Sequence, residues 1–366
     1  MFCVAYRIRN TQYECEVHLI LQQLSDAIGV SGNEDAVRKI IADAVRDYVD
    51  ELRTDTIGNL FAVKKARAAQ GAKRAFKVMV AAHMDEVGLM ITGHDGSGGL
   101  RFQPVGGIDD RILLGKVLLV GPDKIPGVIG VKPIHLLKGD EGKQVIKMDD
   151  MRIDIGASSK EEAEGLVKLG QVAAFSTHYN KIGRTATGKA FDDRAGCAVL
   201  VELLCGAGAR FPFDLHTVFT VQEEVGLRGA RVAASAVEPD CAFVLEGTIC
   251  DDLPKDKDTS PTTELGKGPA ISLMDRSAFA DRRLVDHLIA TAEKLGIPYQ
   301  FKQPGIGGTD AGAITRSKAG VPTVPVSVPC RYIHSPVARL SLDDFDNTVK
   351  LVRESLKRLT PDVLKR

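Results

Sequence analysis

Two adjacent glutamates, Glu223 and Glu224, follow a run of β-branched and aromatic residues at 217–221. The run predicts a strand, and the glycines after the pair allow a tight turn. Because consecutive side chains of an extended segment point to opposite sides, the two carboxylates can take different roles. Metal-dependent hydrolysis needs such a pair, one carboxylate as ligand and one as general base for the metal-bound water. A solvated Glu-Glu pair in a turn is the alternative, and the rest of the chain decides between them.

Four further side chains that can bind metals stand where predicted strands end or a predicted helix begins: His83, Asp192, Glu246 and His334. In open α/β sheets the functional crevice lies outside the carboxyl ends of the strands, so this topology could bring them together. Imidazole and carboxylate ligands without a thiolate suit Zn²⁺, Co²⁺ or Mn²⁺. Two ions about 3.5–4 Å apart, bridged by a carboxylate and a water, would use these ligands economically.

Each candidate also has a purely structural interpretation. Asp192 and Asp193 could form an N-cap pair, Asp310 could simply cap a helix, and His334 could be a loop residue. Asp85 stands two residues after His83 and could hold its ring by accepting the second N–H, the usual arrangement around a metal-binding histidine. We favour the functional interpretation because the candidates recur together at several strand ends.

The order of predicted elements places these residues in an α/β domain with an insertion. From residue 88 to 180 the composition changes to short strands and glycine turns, typical of a small β-barrel or sandwich. We therefore predict a discontinuous catalytic domain formed by residues 1–87 and 181–366, and an inserted β-rich domain formed by residues 88–180. His135 and His178 lie in the insertion and are interpreted as structural.

The pattern of apolar residues predicts the helices, which span 16–28, 33–48, 160–169, 197–204, 230–236, 282–295 and 342–359. Residues 55–64 predict a hairpin. Residues 1–15 have no clear period and are interpreted as a loose arm. Residues 251–268 form a polar loop that is long enough to shape a site.

Composition excludes several classes of function. The chain has 366 residues, and its 48 basic and 48 acidic side chains give a formal net charge of zero. There is thus no global electrostatic argument for binding nucleic acid or an anionic membrane. No apolar run approaches the length of a membrane span, and we expect no secretory signal. The seven scattered cysteines fit reduced thiols, which predicts a cytoplasmic protein.

Five segments occur in the order found in one peptidase family: His83-Met-Asp-Glu-Val-Gly, Ala190-Phe-Asp-Asp-Arg-Ala-Gly-Cys, Val221-Gln-Glu-Glu-Val-Gly-Leu-Arg-Gly-Ala, Gly308-Thr-Asp-Ala and Arg331-Tyr-Ile-His-Ser-Pro. Through them nearly the whole chain resembles the M42 metalloaminopeptidases, a family that contains the tetrahedral aminopeptidases and bacterial glutamyl aminopeptidases. The resemblance implies an α/β fold with a central mixed sheet flanked by helices, like that of zinc exopeptidases. It also implies that the inserted small β-barrel or sandwich domain serves oligomer contacts.

The resemblance also implies roles for individual residues. His83 and Glu246 would bind one metal, Glu224 and His334 would bind the other, and Asp192 would bridge the two. Glu223 would be the general base and Asp85 would orient His83. Many family members have Asp where Glu246 stands, and the neighbouring Asp251 and Asp252 are rivals for that role.

The function that the resemblance implies is removal of N-terminal residues from peptides with a free N-terminus, by homo-oligomers ranging from dimers to tetrahedral dodecamers. Rival functions are deacetylation, deblocking of acyl peptides, endoglucanase activity and a non-catalytic assembly role. The preferred N-terminal residue stays open, since the pocket is built from loops in which Arg331 or residues 251–268 could take part.

Overall fold

The computed structural model describes residues 18–66, 75–206, 211–253 and 262–365. The predicted arm at 1–15 and residues 254–261 of the predicted loop at 251–268 lie outside these ranges. The described helices are α1 (18–26), α2 (Asp35–Val45), α3 (Lys160–Leu166), α4 (Phe191–Cys205), α5 (Arg228–Val237), α6 (Arg282–Leu295), α7 (Ala311–Thr315) and α8 (Leu342–Arg358).

The described strands are β1 (Glu51–Thr54), β2 (Leu60–Lys64), β3 (Lys77–His83), β4 (Gly88–His94), β5 (Leu100–Val105), β6 (Val117–Val120), β7 (Ile125–Ile129), β8 (Ile153–Asp154), β9 (Val172–Phe175), β10 (Asn180–Ile182), β11 (Thr185–Gly188), β12 (Asp214–Thr220), β13 (Cys241–Cys250), β14 (Ala270–Ser272), β15 (Gln300–Lys302), β16 (Thr323–Arg331) and β17 (Ala338–Ser341). One mixed sheet has the order β1-β2-β12-β3-β13-β16-β17-β11-β10, and β14 joins it beside β16 and carries β15. The remaining six strands close a small barrel in the order β4-β5-β8-β7-β6-β9.

The mixed sheet is buried on both faces, as the alternation along its central strand β3 shows. Val78 and Val80 pack with residues of α1, α2, α4, α6 and α8 in one apolar cluster. Met79 and Ala81 pack on the opposite face with residues of α5 and α7. The barrel has its own apolar interior. These layers confirm the predicted fold class, a mixed sheet flanked by helices together with a small barrel.

Local sequence accounts for several element ends. Ser159 accepts a hydrogen bond from the Glu162 N–H at the start of α3, and Ser341 accepts one from the Asp344 N–H at the start of α8. Both are side-chain N-caps, for which serine is a preferred residue. The predicted hairpin at 55–64 is displaced, because its first strand is β1 and residues 55–59 form the turn.

The four central strands β12, β3, β13 and β16 are parallel, so their carboxyl ends meet at one edge. There the last residues of β12 and β3, Thr220 and His83, are paired in register. The prediction that a strand ends just before Glu246 is wrong. β13 continues to Cys250 because it stays paired with β16 beyond the end of β3, and Glu246 lies opposite Ser327. Glu246 is therefore held by a strand backbone rather than by a loop.

Across the described ranges, none of the helices has the length and apolar character that crossing a membrane would require. The cysteines at 197, 205, 241, 250 and 330 are free, in agreement with the predicted reduced thiols.

Candidate metal centre

A first group of potential ligands gathers around His83 at the end of β3. The Nε2 atom of His83 lies 3.3 Å from Oδ1 of Asp192 and 3.6 Å from Oε2 of Glu246. One ligand atom from each residue lies within 4.8 Å of the other two, close enough to share an ion. His83 and Glu246 are 1% and 4% exposed, so this group is shielded from bulk water.

A second group gathers around His334, which follows β16. The Nε2 atom of His334 lies 3.4 Å from Oδ2 of Asp192 and 3.5 Å from Oε2 of Glu224. One ligand atom from each of these three residues also lies within 4.8 Å of the other two. Asp192 thus belongs to both groups, with one carboxylate oxygen near each imidazole. This is the geometry that a bridging carboxylate requires.

The backbone around Asp192 places its side chain between the two imidazoles. Asp192 and Asp193 have non-helical dihedral angles at the start of α4, and the peptide bond between them is cis. The segment packs directly against β13, since a Cβ built at Gly247 would lie 2.7 Å from the Phe191 carbonyl oxygen. A glycine at 247 therefore lets the Asp192 segment approach the strand that carries Glu246.

Asp192 and Asp193 do not form a simple capping pair. Asp193 is fully buried and accepts hydrogen bonds from the backbone N–H groups of Gly196 (2.9 Å) and His83 (3.1 Å). Asp192 instead faces the two imidazoles. The structural interpretation of the pair as helix caps therefore fits only Asp193. Its two hydrogen bonds connect the start of α4 to the end of β3.

Asp85 holds three parts of the site at once. One of its oxygens lies 3.3 Å from Nδ1 of His83, and its carboxylate accepts the backbone N–H groups of Glu223 (3.0 Å) and Glu224 (3.1 Å). The Ser31 hydroxyl donates to it at 2.6 Å. Burial alone would raise the pKa of Asp85, but the hydrogen bonds and the nearby His83 lower it overall, which favours the charged form.

His334 is oriented from the barrel. Its Nδ1 atom lies 2.9 Å from the backbone carbonyl oxygen of Gly107, just after β5, and because a carbonyl only accepts, Nδ1 is the donor. This leaves the lone pair of Nε2 free to face Asp192 and Glu224. The barrel therefore fixes the tautomer of one candidate ligand.

Glu223 lies beside the first group without belonging to either. Its Oε2 atom is 4.0 Å from Nε2 of His83. Burial raises its pKa well above the usual value, against the effect of His83 and together with the charges of neighbouring carboxylates. The sequence suggested that both glutamates belong to an extended segment, but the structure differs. β12 ends at Thr220, Gln222 has a left-handed φ of 56°, and Asp85 sets the directions of both glutamates through their N–H groups.

Asp252, a predicted rival of Glu246, and Asp310, a predicted helix cap, both have other partners. Asp252 forms a two-pronged ion pair with Arg331 (2.6 and 2.8 Å), so the structure favours Glu246 over Asp252 beside His83. Asp310 makes no side-chain cap to α7. Its Oδ2 instead accepts from the Thr220 hydroxyl at 2.5 Å, and its backbone N–H points to Glu246 Oε1 at 3.4 Å.

The donor set fits divalent cations. Four carboxylates and the imidazole of His334 line a cavity of about 610 Å³, and the imidazole of His83 lies 3.3 Å from one of these carboxylates, that of Asp192. Burial and mutual repulsion raise the pKa of Glu246 well above its usual value and that of Glu224 to about 7. Carboxylates crowded in this way are stabilised in the charged form by a cation between them. Nitrogen and oxygen ligands at this spacing are typical of zinc, cobalt or manganese hydrolases.

Sequence reasoning missed several residues of the site. The second aspartate of the 192–193 pair, the Gly107 carbonyl and the Ser31 hydroxyl act through backbone or hydrogen-bond contacts that no spacing rule reveals. Lys302 also lines the cavity. Its only signal in the sequence was its place at the end of a predicted short strand.

The site and fold define a metal-dependent hydrolase, and the comparison with known proteins gives its class. The profile of the M42 glutamyl aminopeptidase family matches residues 58–351. A lysyl aminopeptidase of Pyrococcus furiosus is 36% identical over 93% of this chain and 97% of its own length. The chain belongs to the M42 family and is a metal-dependent aminopeptidase.

Solved structures agree with this assignment. A TET aminopeptidase from a marine sediment Thaumarchaeota archaeon is 39% identical, with a TM-score of 0.88 over 95% of this chain and 98% of that one. The TET1 peptidase of Pyrococcus horikoshii, which can assemble into a tetrahedron or a large octahedral shell, is 38% identical, with a TM-score of 0.82 over 94% of this chain and all of that one. The expected family resemblance is thereby confirmed.

Proposed function

We propose that this chain is a dinuclear aminopeptidase in which Glu223 is the general base. The observation that carries the proposal is the position of Asp192, whose two oxygens face two imidazoles in two separate ligand groups. His83 and Glu246 would hold one ion with Asp192, and Glu224 and His334 the other. Zn²⁺, Co²⁺ and Mn²⁺ all suit this donor set.

When bound, the two ions would supply Lewis acidity toward the scissile carbonyl and the attacking water. Glu223 is the carboxylate that neither ligand group uses, yet it faces the same space, 4.0 Å from His83 Nε2. It accepts a proton from the attacking water and returns this proton to the leaving amine. Asp85 positions this step, because it fixes the Glu223 backbone and the His83 ring together.

The cavity also supports action at chain ends. Four carboxylates line it, namely Asp192, Glu223, Glu224 and Glu246. A free α-ammonium group on the substrate would be attracted to this anionic wall. Peptides with a free N-terminus are therefore the expected substrates, and N-acylated peptides would lose this attraction.

We further propose that residues 88–180 act as an inserted domain for contacts between copies of a cytoplasmic homo-oligomer. Support comes from large apolar side chains exposed on the segment after β7: Val131 is 54% exposed, Ile134 84%, Leu136 54% and Val145 50%. Exposed apolar groups of this kind are typical of interaction surfaces. Light scattering of the purified chain tests this proposal, with a monomeric mass as the contrary result.

The test of the activity is a panel of aminoacyl amides and short peptides, each with a free or an acetylated N-terminus. The enzyme is reconstituted separately with each of the three metals. We expect hydrolysis of the free forms only, abolished by a chelator and restored by metal. Release of acetyl groups or of blocked residues would favour a deacetylase or deblocking enzyme. Metal-independent cleavage of β-glucan would favour a glycosidase, whose carboxylates need no ion.

A further inference from the structure

The side chain of Lys302 lies in the candidate active-site cavity although its backbone belongs to the sheet. Lys302 ends β15 and pairs in parallel with Ser272 of β14. The residue is only 5% exposed, yet it lines the same cavity as Glu223 and Glu246. Its Nζ atom lies beside Gly307 of the cavity wall, at 3.7 Å from a Cβ built on that glycine. The ammonium group thus sits in a shielded part of the cavity.

Within the described ranges, Nζ of Lys302 has neither an ion-pair partner nor a hydrogen-bond acceptor. Lys189, another buried lysine, does have such partners. Its Nζ donates to both carboxylate oxygens of Glu86 (2.7 and 2.8 Å) and to the Ala27 carbonyl. A buried cation without a partner is costly, because its lost hydration is not replaced. A ligand that brings a carboxylate would remove that cost.

The lining of the cavity that Lys302 shares fits a substrate side chain with an aliphatic stem and an anionic end. Leu227, Ile249 and Ile333 contribute apolar groups to the cavity, and Gly307 and Gly308 contribute backbone. The metal-centre carboxylates are already engaged with imidazoles or N–H groups and form no ion pair with Lys302. The cavity therefore combines an anionic wall that suits the substrate's α-ammonium with a separate cation.

We propose that Lys302 binds the side-chain carboxylate of an N-terminal Glu or Asp, so that the preferred substrates are peptides with an acidic first residue. This assignment rests on the proposed aminopeptidase function. The α-ammonium group would face the carboxylates of the metal centre while the side-chain carboxylate reaches the lysine. Lys302 is thus a specificity-determining residue rather than a proton carrier.

The experiment compares Glu, Gln, Ala, Leu and Lys aminoacyl amides on the full chain reconstituted with metal. Glu and Gln have the same shape, so their ratio of kcat/KM isolates the charge. We expect the wild type to prefer Glu, and Lys302→Met to lower the Glu-to-Gln ratio by at least about tenfold, mostly through KM, as for a lost hydrogen bond to a charged group. Lys302→Arg should retain part of the preference. Lys302→Glu should shift it toward Lys.

Lys294→Met is the matched control, because Lys294 is exposed at the end of α6 and does not line the cavity. It should leave the Glu-to-Gln ratio unchanged. Inhibition of the wild type by free L-glutamate compared with L-glutamine tests the same contact without any variant, and glutamate should inhibit more strongly. Equal rates on Glu and Gln with good turnover of Ala or Leu would overturn the role of Lys302 alone. No turnover on any substrate would overturn the proposed function with it.

Discussion

The Oδ1 atom of Asp85 lies 3.3 Å from Nδ1 of His83, and both side chains are almost fully buried. The same carboxylate accepts hydrogen bonds from the backbone N–H groups of Glu223 and Glu224, in the turn that follows β12. A single residue therefore couples the orientation of a candidate ligand, His83, to the positions of the proposed general base, Glu223, and of another candidate ligand, Glu224. We therefore expect Asp85 to act as a positioning residue whose substitution affects both metal binding and turnover.

Asp85→Asn should weaken metal binding by about 10–100-fold, the range typical for loss of a partner that orients a metal ligand. An amide nitrogen replaces one acceptor oxygen and is repelled by at least one N–H group that now points at it. Metal titration by calorimetry measures the change. Asp123→Asn is the control, since Asp123 is exposed on the barrel. Unchanged affinity in Asp85→Asn would show that the His83–Asp85 contact does not matter for the metal.

Glu223→Gln should retain both metals and lose about 10²–10⁴-fold in kcat, the usual contribution of a general base. The amide has nearly the same shape but cannot accept the proton of the attacking water. Elemental analysis and steady-state kinetics on a free aminoacyl amide are measured on the same sample. Near-normal turnover would remove Glu223 as the base, and loss of metal would make it a ligand instead.

His334→Ala and Glu224→Gln should reduce metal occupancy from two ions per chain toward one. Both residues belong to the second ligand group, while His83 and Glu246 can still hold an ion with Asp192. Elemental analysis after dialysis measures the occupancy. His178→Ala is the control, because the side chain of His178 is 78% exposed and lies outside both groups. Full occupancy in the first two variants would contradict their assignment as ligands.

Much of the site could be predicted because its chemistry sits at the ends of strongly apolar strands. The buried run before His83 forms β3, and the parallel order of the central strands brings its end beside the turn that carries Glu223 and Glu224. A strand end is a local property, and its alignment with other strand ends follows from the topology of parallel sheets. Those two facts account for the meeting of His83 with Glu223 and Glu224.

Other features depended on contacts that local sequence does not encode. Glu246 lies inside β13 because a neighbouring strand prolongs the pairing. In β15 the aromatic Phe301 is 45% exposed while the charged Lys302 is buried, the reverse of what alternation of polarity would predict. Which side of a short strand faces a cavity is decided by the packing of the whole sheet. The contact of Gly107 with His334 likewise depends on how the barrel is placed against the mixed sheet.

Gly229→Ala should lower both stability and turnover, because this glycine supports the turn that carries Glu223. A Cβ at Gly229 would collide with the Asn59 amide oxygen and with the backbone of Val221. The same three residues are tied by hydrogen bonds from Gly229 N–H to the Val221 carbonyl (3.0 Å), from Val221 N–H to Asn59 (3.1 Å) and from Asn59 to the Gly229 carbonyl (3.1 Å). Relief of the collision must therefore move the segment around Val221, which leads into the turn with Glu223.

The cost of such overpacking is about 1–3 kcal/mol of unfolding free energy. Denaturant unfolding and kcat/KM are measured on the same preparation, and both should fall. Gly165→Ala is the matched control, since Gly165 lies on α3, does not line the cavity, and its added methyl group would meet no atom within 4 Å. There the change should stabilise the chain by up to about 1 kcal/mol, because alanine is the better helix former. Equal effects at the two glycines would show that the Asn59–Val221–Gly229 contacts do not hold the Glu223 turn in place.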